Sequence, residues 1–177
     1  MTLVVHTKTH FIVGLVTGRG PSQDSPEFLP ATRQATRNLR FDCLLADAGD
    51  DGEHNHRRAR RELGIRLTVI KLNPRNAAGK VPTGRYRAQM HRRFPHRRYR
   101  QRAQAESVIS RHKRVLGTAL RSRNDAAQDR EMRLRALVHD LMILLFCPAG
   151  LPLGLAGPSR QPEDFNRAKM RLIDDHS

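Results

Sequence analysis

The feature that most constrains the fold is the alternation of short apolar segments with helical ones. Residues 3–17 (LVVHTKTHFIVGLVT) are apolar and β-branched with a polar interruption, which predicts two strands joined by a tight connection. The apolar runs at 41–47 (FDCLLAD) and 65–72 (IRLTVIKL) predict two further strands, the first of which delivers Asp47 at its carboxyl end. This order of elements indicates an α/β sheet.

Helices are predicted between and after these strands. Ser25-Pro26-Glu27 is a typical helix start, and a polar helix is expected from about Glu53 to Leu63, ended by Gly64. Residues 73–84 (NPRNAAGKVPTG) are rich in Pro, Gly and Asn and predict a mobile loop. Asn124 caps a last helix from Asp125 to about Phe146, whose predicted apolar side carries Met132, Leu137, Leu141, Leu144 and Leu145.

The segment from 147 to 177 contains Gly and Pro too densely for a helix or a central strand, and a tail of low order is expected there. The chain of 177 residues suits one compact domain, which we place at residues 1–146.

The charge of the chain points to nucleic acid as its partner. The formal net charge is +16 and comes mostly from Arg, whose planar guanidinium pairs with phosphate. Residues 75–123 contain fifteen Lys or Arg and a single acid, Glu106. A membrane-surface protein is a poorer interpretation, because the charge does not lie on one face of an amphipathic helix beside large aromatic residues and Trp is absent.

The expected location is a reducing cytoplasm. Cys43 and Cys147 lie in apolar runs, where buried thiols are expected rather than a disulfide or metal ligands. The chain does not open with a signal segment, and its longest apolar run, residues 141–147, is far too short to cross a bilayer.

The basic region also carries a helical pattern. Tyr99, Arg102, Glu106 and Lys113 are spaced by three, four and seven residues, so on one helix they share a face, opposite a set of small and apolar residues. A solvated charged face with an i, i+4 pair of Arg and Glu has the same spacing, so the pattern alone leaves both interpretations open.

The order of these residues resembles the signature around the catalytic glutamate of DDE-type insertion-sequence transposases, of the insertion-sequence-four-like group. Here the signature Y-x2-R-x3-E-x6-K stands as YRQRAQAESVISRHK, residues 99–113. The segment LLADAGDDGEHNHRRARRELGIR, residues 44–66, is similar to the surroundings of the family's second aspartate, and RLRALVHDLMIL, residues 133–144, to its closing helix.

The resemblance implies a partial ribonuclease H-like domain with a mixed sheet flanked by helices. It implies metal-dependent cleavage and strand transfer of DNA, with Asp47 and Glu106 as catalytic carboxylates that hold Mg²⁺ or Mn²⁺. Tyr99, Arg102 and Lys113 would contact DNA by the same resemblance. Dimerisation on DNA is left open.

The sequence also departs from the family. His6, in VVHT, stands at the place expected for the first catalytic aspartate, so the third carboxylate is missing and catalysis is expected to be impaired. Because His6 lies so close to Met1, the amino-terminal part of such a transposase is expected to be absent.

Further acids and two histidines are also candidates for this site. Asp24 and Asp42 are alternative sources of the missing acid, although a helix entry and a solvated strand start explain them better. Asp50 and Asp51 suit the turn before the next helix. His54 and His56 point to different sides of a helix, and no Cys pair completes a zinc site with them.

Two functions of different classes follow. The first is a DDE transposase domain with impaired catalysis. The second is a DNA-binding protein without catalysis, whose phosphate contacts make affinity dependent on salt and tolerant of sequence.

Overall fold

The computed structural model describes residues 1–18, 25–74, 81–117, 119–146 and 169–174. Within these residues the chain forms one five-stranded mixed sheet with helices on both faces. The strands are β1 (Thr2–His6), β2 (Ile12–Val16), β3 (Cys43–Ala46), β4 (Leu67–Ile70) and β5 (Lys169–Asp174). The α/β class and the first four strands predicted from the sequence are confirmed.

The order of strands across the sheet is β2-β1-β5-β3-β4. β5 pairs parallel with β1, from Thr2 opposite Lys169 to His6 opposite Ile173. It pairs antiparallel with β3, where Cys43 is opposite Asp174. β1 and β3 therefore run in opposite directions. The carboxyl end of β1 lies on the side of the sheet where β3 begins, and the carboxyl end of β3 lies on the side where β1 begins.

β5 lies in the segment expected to be of low order. Only residues 169–174 of that segment are described, and their backbone forms the central strand of the sheet. The prediction was made from the Gly and Pro residues of the segment, which lie before 169 and outside the described residues.

The helices follow the sequence closely except in the basic region. They are α1 (Ser25–Asn38), the 3-10 turn Ala48–Asp50, α2 (Glu53–Arg61), α3 (Arg85–Arg92), α4 (His96–Tyr99), α5 (Arg102–Leu116) and α6 (Asp125–Phe146). The predicted starts at Ser25, Glu53 and Asp125 are confirmed. The side chain of Asn124 accepts a hydrogen bond from the Ala127 amide at 2.8 Å and caps α6 as expected.

The alternation of side chains along β1 and β3 builds two apolar layers. Leu3, Cys43 and Leu45 face the layer covered by α3, α5 and α6, to which Met90 and Val108 contribute. The other layer is covered by α1 and α2 and contains Val4, Leu44, Phe28, Ala35 and Ala59. Because both faces are covered, these strands consist almost entirely of apolar residues.

The packing face of α6 differs from the prediction. Ala136, His139 and Ile143 are buried, whereas the leucines assigned to its apolar side, Leu137, Leu141, Leu144 and Leu145, are 45% to 77% exposed. The leucines lie on a different stripe of the helix from these three buried residues. Because this stripe carries several leucines, the sequence predicted it to be the buried face.

Two further expectations can be compared with the structure. Cys43 is a buried free thiol, as predicted, and Cys147 lies outside the described residues. In the described part of the chain, none of the helices has the length and apolar character needed to span a membrane.

The position of β5 can be tested with one substitution. Leu172→Pro removes a backbone N–H from a strand that is paired on both sides, so it should lower the free energy of unfolding by roughly 3 kcal/mol or more. Urea denaturation followed by circular dichroism measures this loss. Leu172→Val keeps the N–H and serves as the control. An unchanged midpoint for the proline variant would contradict the central position of β5.

Candidate active site

The candidate site begins at the carboxyl end of β3. Asp47 directly follows this strand and is the N-cap of the 3-10 turn, where its Oδ1 accepts a hydrogen bond from the Ala48 amide at 2.6 Å. The buried strand and the cap fix the backbone of Asp47, while 41% of its side chain stays exposed. Its second oxygen, Oδ2, is thus directed to a partner outside the turn.

That partner is Arg102, the first residue of α5. One terminal nitrogen of its guanidinium lies 3.3 Å from Asp47 Oδ2, and the other donates to Glu106 Oε1 at 2.9 Å. Arg102 and Glu106 are one helical turn apart, and Asp47 is 55 residues away from Arg102 in the chain. The structure therefore brings Asp47 and Glu106 to the same guanidinium.

Tyr99 lies beside this group but not on the same helix. The predicted continuous helix through residues 99–113 is interrupted at Arg100 and Gln101, so Tyr99 ends α4 and Arg102 begins α5. The Tyr99 ring packs edge-on against Phe94, with centroids 5.0 Å apart. Burial raises the pKa of Tyr99; Arg102 opposes this shift, and the charges of Asp47 and Glu106 add to it.

Lys113 lies near the carboxyl end of α5. It is seven residues beyond Glu106, which corresponds to about 10 Å along the helix axis. The helix thus keeps Lys113 on the side of Glu106 while separating it from the carboxylates by two turns.

His6 is not brought to this group. It ends β1, whose carboxyl end lies at the edge of the sheet opposite to that of β3. There the His6 Nδ1 pairs with Thr9 Oγ1 at 2.7 Å. Burial lowers the pKa of the nearby His10, and the charge of Arg111 adds to this shift. The strand directions place His6 and Asp47 toward opposite ends of the sheet, and the expectation that His6 stands at the place of the first catalytic aspartate stays a prediction.

Among the described residues, none of the other candidate acids forms an ion pair with Arg102. Asp42 precedes β3 at the far edge and pairs weakly with Arg66 at 3.9 Å. Asp24 lies outside the described residues. Asp50 is buried, and its backbone carbonyl accepts a hydrogen bond from Asn55.

His56 is a structural residue rather than a zinc ligand. It is fully buried in α2, and its Nδ1 pairs with Thr68 Oγ1 of β4 at 2.6 Å. Burial, followed by the charge of Arg60, lowers the pKa of His56 to about 4, so its ring is neutral at pH 7. His54 is exposed, so the two histidines do not face a common point.

A buried ion pair, formed by Asp51 and Arg87, could not be predicted from the sequence. Asp51, assigned to a turn, has a fully buried carboxylate that accepts two hydrogen bonds from Arg87 of α3, each of 2.8 Å. Glu53 accepts the backbone amides of Tyr86 and Arg87 at about 3 Å and so caps the amino terminus of α3. The acidic run DDGE indicates that cationic partners are needed. The sequence could not identify Arg87 as that partner, because it lies 36 residues after Asp51.

The surface around the carboxylates is strongly basic. Arg92, Arg93, Arg97 and Arg100 are exposed on α3, α4 and the turn before α5. These elements lie next to Arg102 in the chain, so the two carboxylates stand in a positive surrounding. A surface of this charge attracts polyanions.

The carboxylates fit one divalent cation in part. Asp47 and Glu106 supply hard oxygen ligands, both are partly exposed, and a cationic group already binds between them. In the described part of the chain, no group of three His, Cys, Asp or Glu side chains is arranged to hold a metal ion. Water would therefore have to complete the oxygen shell of an ion held by these two residues.

A comparison with protein families identifies the family of this chain. The model of the transposase DDE domain matches residues 1–141, which include the first four strands, Asp47 and all of α5. The chain belongs to the transposase DDE domain family. Membership makes transposition the general function and DNA the partner, and the family normally uses divalent metal ions. No curated protein and no solved structure matches the chain.

The buried pair next to the site yields a stability prediction. Asp51→Asn removes the only charge that balances Arg87 at hydrogen-bond distance among the described residues, so it should cost about 3 kcal/mol of unfolding free energy. Asp42→Asn is the matched control, because its ion pair is long and half exposed and should cost less than about 1 kcal/mol. Equal stabilities of the two variants in urea denaturation would argue against a buried pair at Asp51.

Proposed function

We propose that this chain carries the catalytic domain of an insertion-sequence transposase that cleaves and joins DNA strands in a metal-dependent reaction. The proposal assigns residues 1–146 to a ribonuclease H-like domain of the insertion-sequence-four-like group, acting in the cytoplasm. One observation carries it. Asp47 and Glu106, far apart in the chain, meet on one guanidinium within the part of the chain that matches the family.

Asp47 and Glu106 are proposed as the residues that hold Mg²⁺ or Mn²⁺. The ion, when bound, would activate the attacking hydroxyl or stabilise the leaving oxygen of a phosphoryl transfer. The cap on Asp47 and the helix that bears Glu106 keep both carboxylates in position for this role. Arg102 contacts both acids and is placed to pair with a phosphate that enters the site.

DNA binding is assigned to the neighbouring basic residues. Tyr99 ends α4 beside the acids and is proposed to position the strand, and Lys113 to contact the backbone further along α5. Exposed arginines on α3 and α4 would extend the contact. A homodimer bound to DNA is compatible with this surface.

Catalysis is proposed to be weak, because the described residues bring two acids together rather than three. Mn²⁺-dependent nicking of a DNA duplex that carries the element's ends tests the assignment. Glu106→Gln should lower the rate of nicking at least about a hundredfold, since a metal-holding carboxylate is lost. Arg114→Gln, an exposed charge near the end of the same helix, is the control.

The variant His6→Asp tests whether an acid at position 6 contributes to catalysis, as the resemblance of the sequence implies. Because the carboxyl ends of β1 and β3 lie at opposite edges of the sheet, His6→Asp should leave the rate of nicking unchanged. Restoration of activity by this variant would contradict the site proposed here. So would nicking that is insensitive to Glu106→Gln.

A second function, DNA binding without catalysis, is supported by the exposed arginines around only two acids. Affinity for duplex DNA should then fall steeply with salt and vary little with sequence. Arg97→Gln and Arg100→Gln should each reduce the slope of log affinity against log salt by about 0.9, the value for one phosphate contact. Arg37→Gln, exposed on α1 at the other face of the sheet, should leave the slope unchanged. A flat salt dependence would exclude this function.

A further inference from the structure

The role of Arg102 can be defined beyond general contact with DNA. Its side chain is 24% exposed, less than that of either acid that it binds, and its Nε is buried without a hydrogen-bond partner among the described residues. The two terminal nitrogens are used, one on each carboxylate. Arg102 therefore lies between the acids rather than beside them.

The oxygens that Arg102 contacts are the ones that a metal ion would need. Asp47 Oδ1 already accepts a hydrogen bond from the Ala48 amide at 2.6 Å, which makes Oδ2 the less engaged oxygen within the turn, and Oδ2 is the atom that Arg102 approaches. On Glu106 the contacted atom is Oε1. A divalent ion shared by these carboxylates would have to displace the guanidinium or sit against its positive charge.

An ordinary i, i+4 surface pair does not account for this arrangement. Arg102 and Glu106 alone would form such a pair, which contributes little to stability. The contact with Asp47 comes from a different element, at the end of β3. A single positive charge thus bridges two negative ones that the fold has already brought together.

We propose that Arg102 is an internal counter-ion that occupies the cation position between Asp47 and Glu106, and that it leaves this position when DNA phosphate offers a competing anion. The proposal rests on the proposed function and adds its regulation. DNA and a divalent ion then bind cooperatively, because the phosphate that takes up Arg102 frees both carboxylates. By linkage, the ion strengthens DNA binding by the same factor.

The experiment is a titration of the full chain with Mn²⁺, followed by the electron paramagnetic resonance signal of the free aqueous ion. Arg102→Gln should raise the affinity for Mn²⁺ by roughly tenfold, since a unit charge near a divalent ion is removed. Arg114→Gln removes one charge at the far end of α5 and should leave the affinity unchanged. The double variant Arg102→Gln, Glu106→Gln should not show this increase in Mn²⁺ affinity.

Addition of duplex DNA provides the second arm. It should raise the Mn²⁺ affinity of the unaltered chain and have much less effect on Arg102→Gln, in which the carboxylates are already free. Arg102→Met repeats the comparison if the Gln variant fails to fold by circular dichroism. Arg102→Lys keeps the charge and should resemble the unaltered chain.

A Mn²⁺ affinity that is unchanged or weaker in the folded neutral variants would overturn the proposal. These results do not depend on strand cleavage. If the affinity rises as expected and DNA is never nicked, the counter-ion role stands and the catalytic function fails. If DNA is nicked with unchanged Mn²⁺ affinity, the catalytic function stands and the counter-ion role fails.

Discussion

The sheet of this protein depends on the pairing of one strand with two others. β1 and β2 form one antiparallel pair, β3 and β4 form one parallel pair, and β5 joins the two pairs by hydrogen bonding to both. The two apolar layers extend across this junction, so the helices on each face cover both pairs. The orientation of β5 also places the carboxyl ends of β1 and β3 at opposite edges. The location of the acids within the fold follows from that arrangement.

At the edge where β3 and β4 end, the negative charges are matched in different ways. Asp51 is fully buried and satisfied by Arg87, which serves to dock α3 onto the sheet. Asp47 and Glu106 are partly exposed and share Arg102, which leaves their charge only half balanced. The three carboxylates thus differ in burial. The buried one has a structural role, whereas the two exposed ones are accessible to another cation, although all three lie among the same basic helices.

Much of this arrangement could be predicted from the sequence. Apolar runs bounded by Gly, Pro or polar residues located β1 to β4, and the pattern around Glu106 identified the helix that meets Asp47. Two features could not be predicted. The pairing of residues 169–174 with β1 and β3 depends on contacts across almost the whole chain, and short apolar segments carry no signal for such partners. The position of His6 depended on the direction of β1 relative to β3, which the intervening β5 determines.

The acids at the start of α2 also secure both ends of a long connection. Asp51 accepts a hydrogen bond from the backbone amide of Asn73, just after β4. Glu53 accepts hydrogen bonds from the backbone amides of Tyr86 and Arg87, where α3 begins. The ends of this connection are therefore held together whatever its length. Since the entropy of closing a loop grows only with the logarithm of its length, added residues between these anchors should be tolerated at small cost. This connection is a site where the sequence can lengthen or shorten without moving the carboxylates.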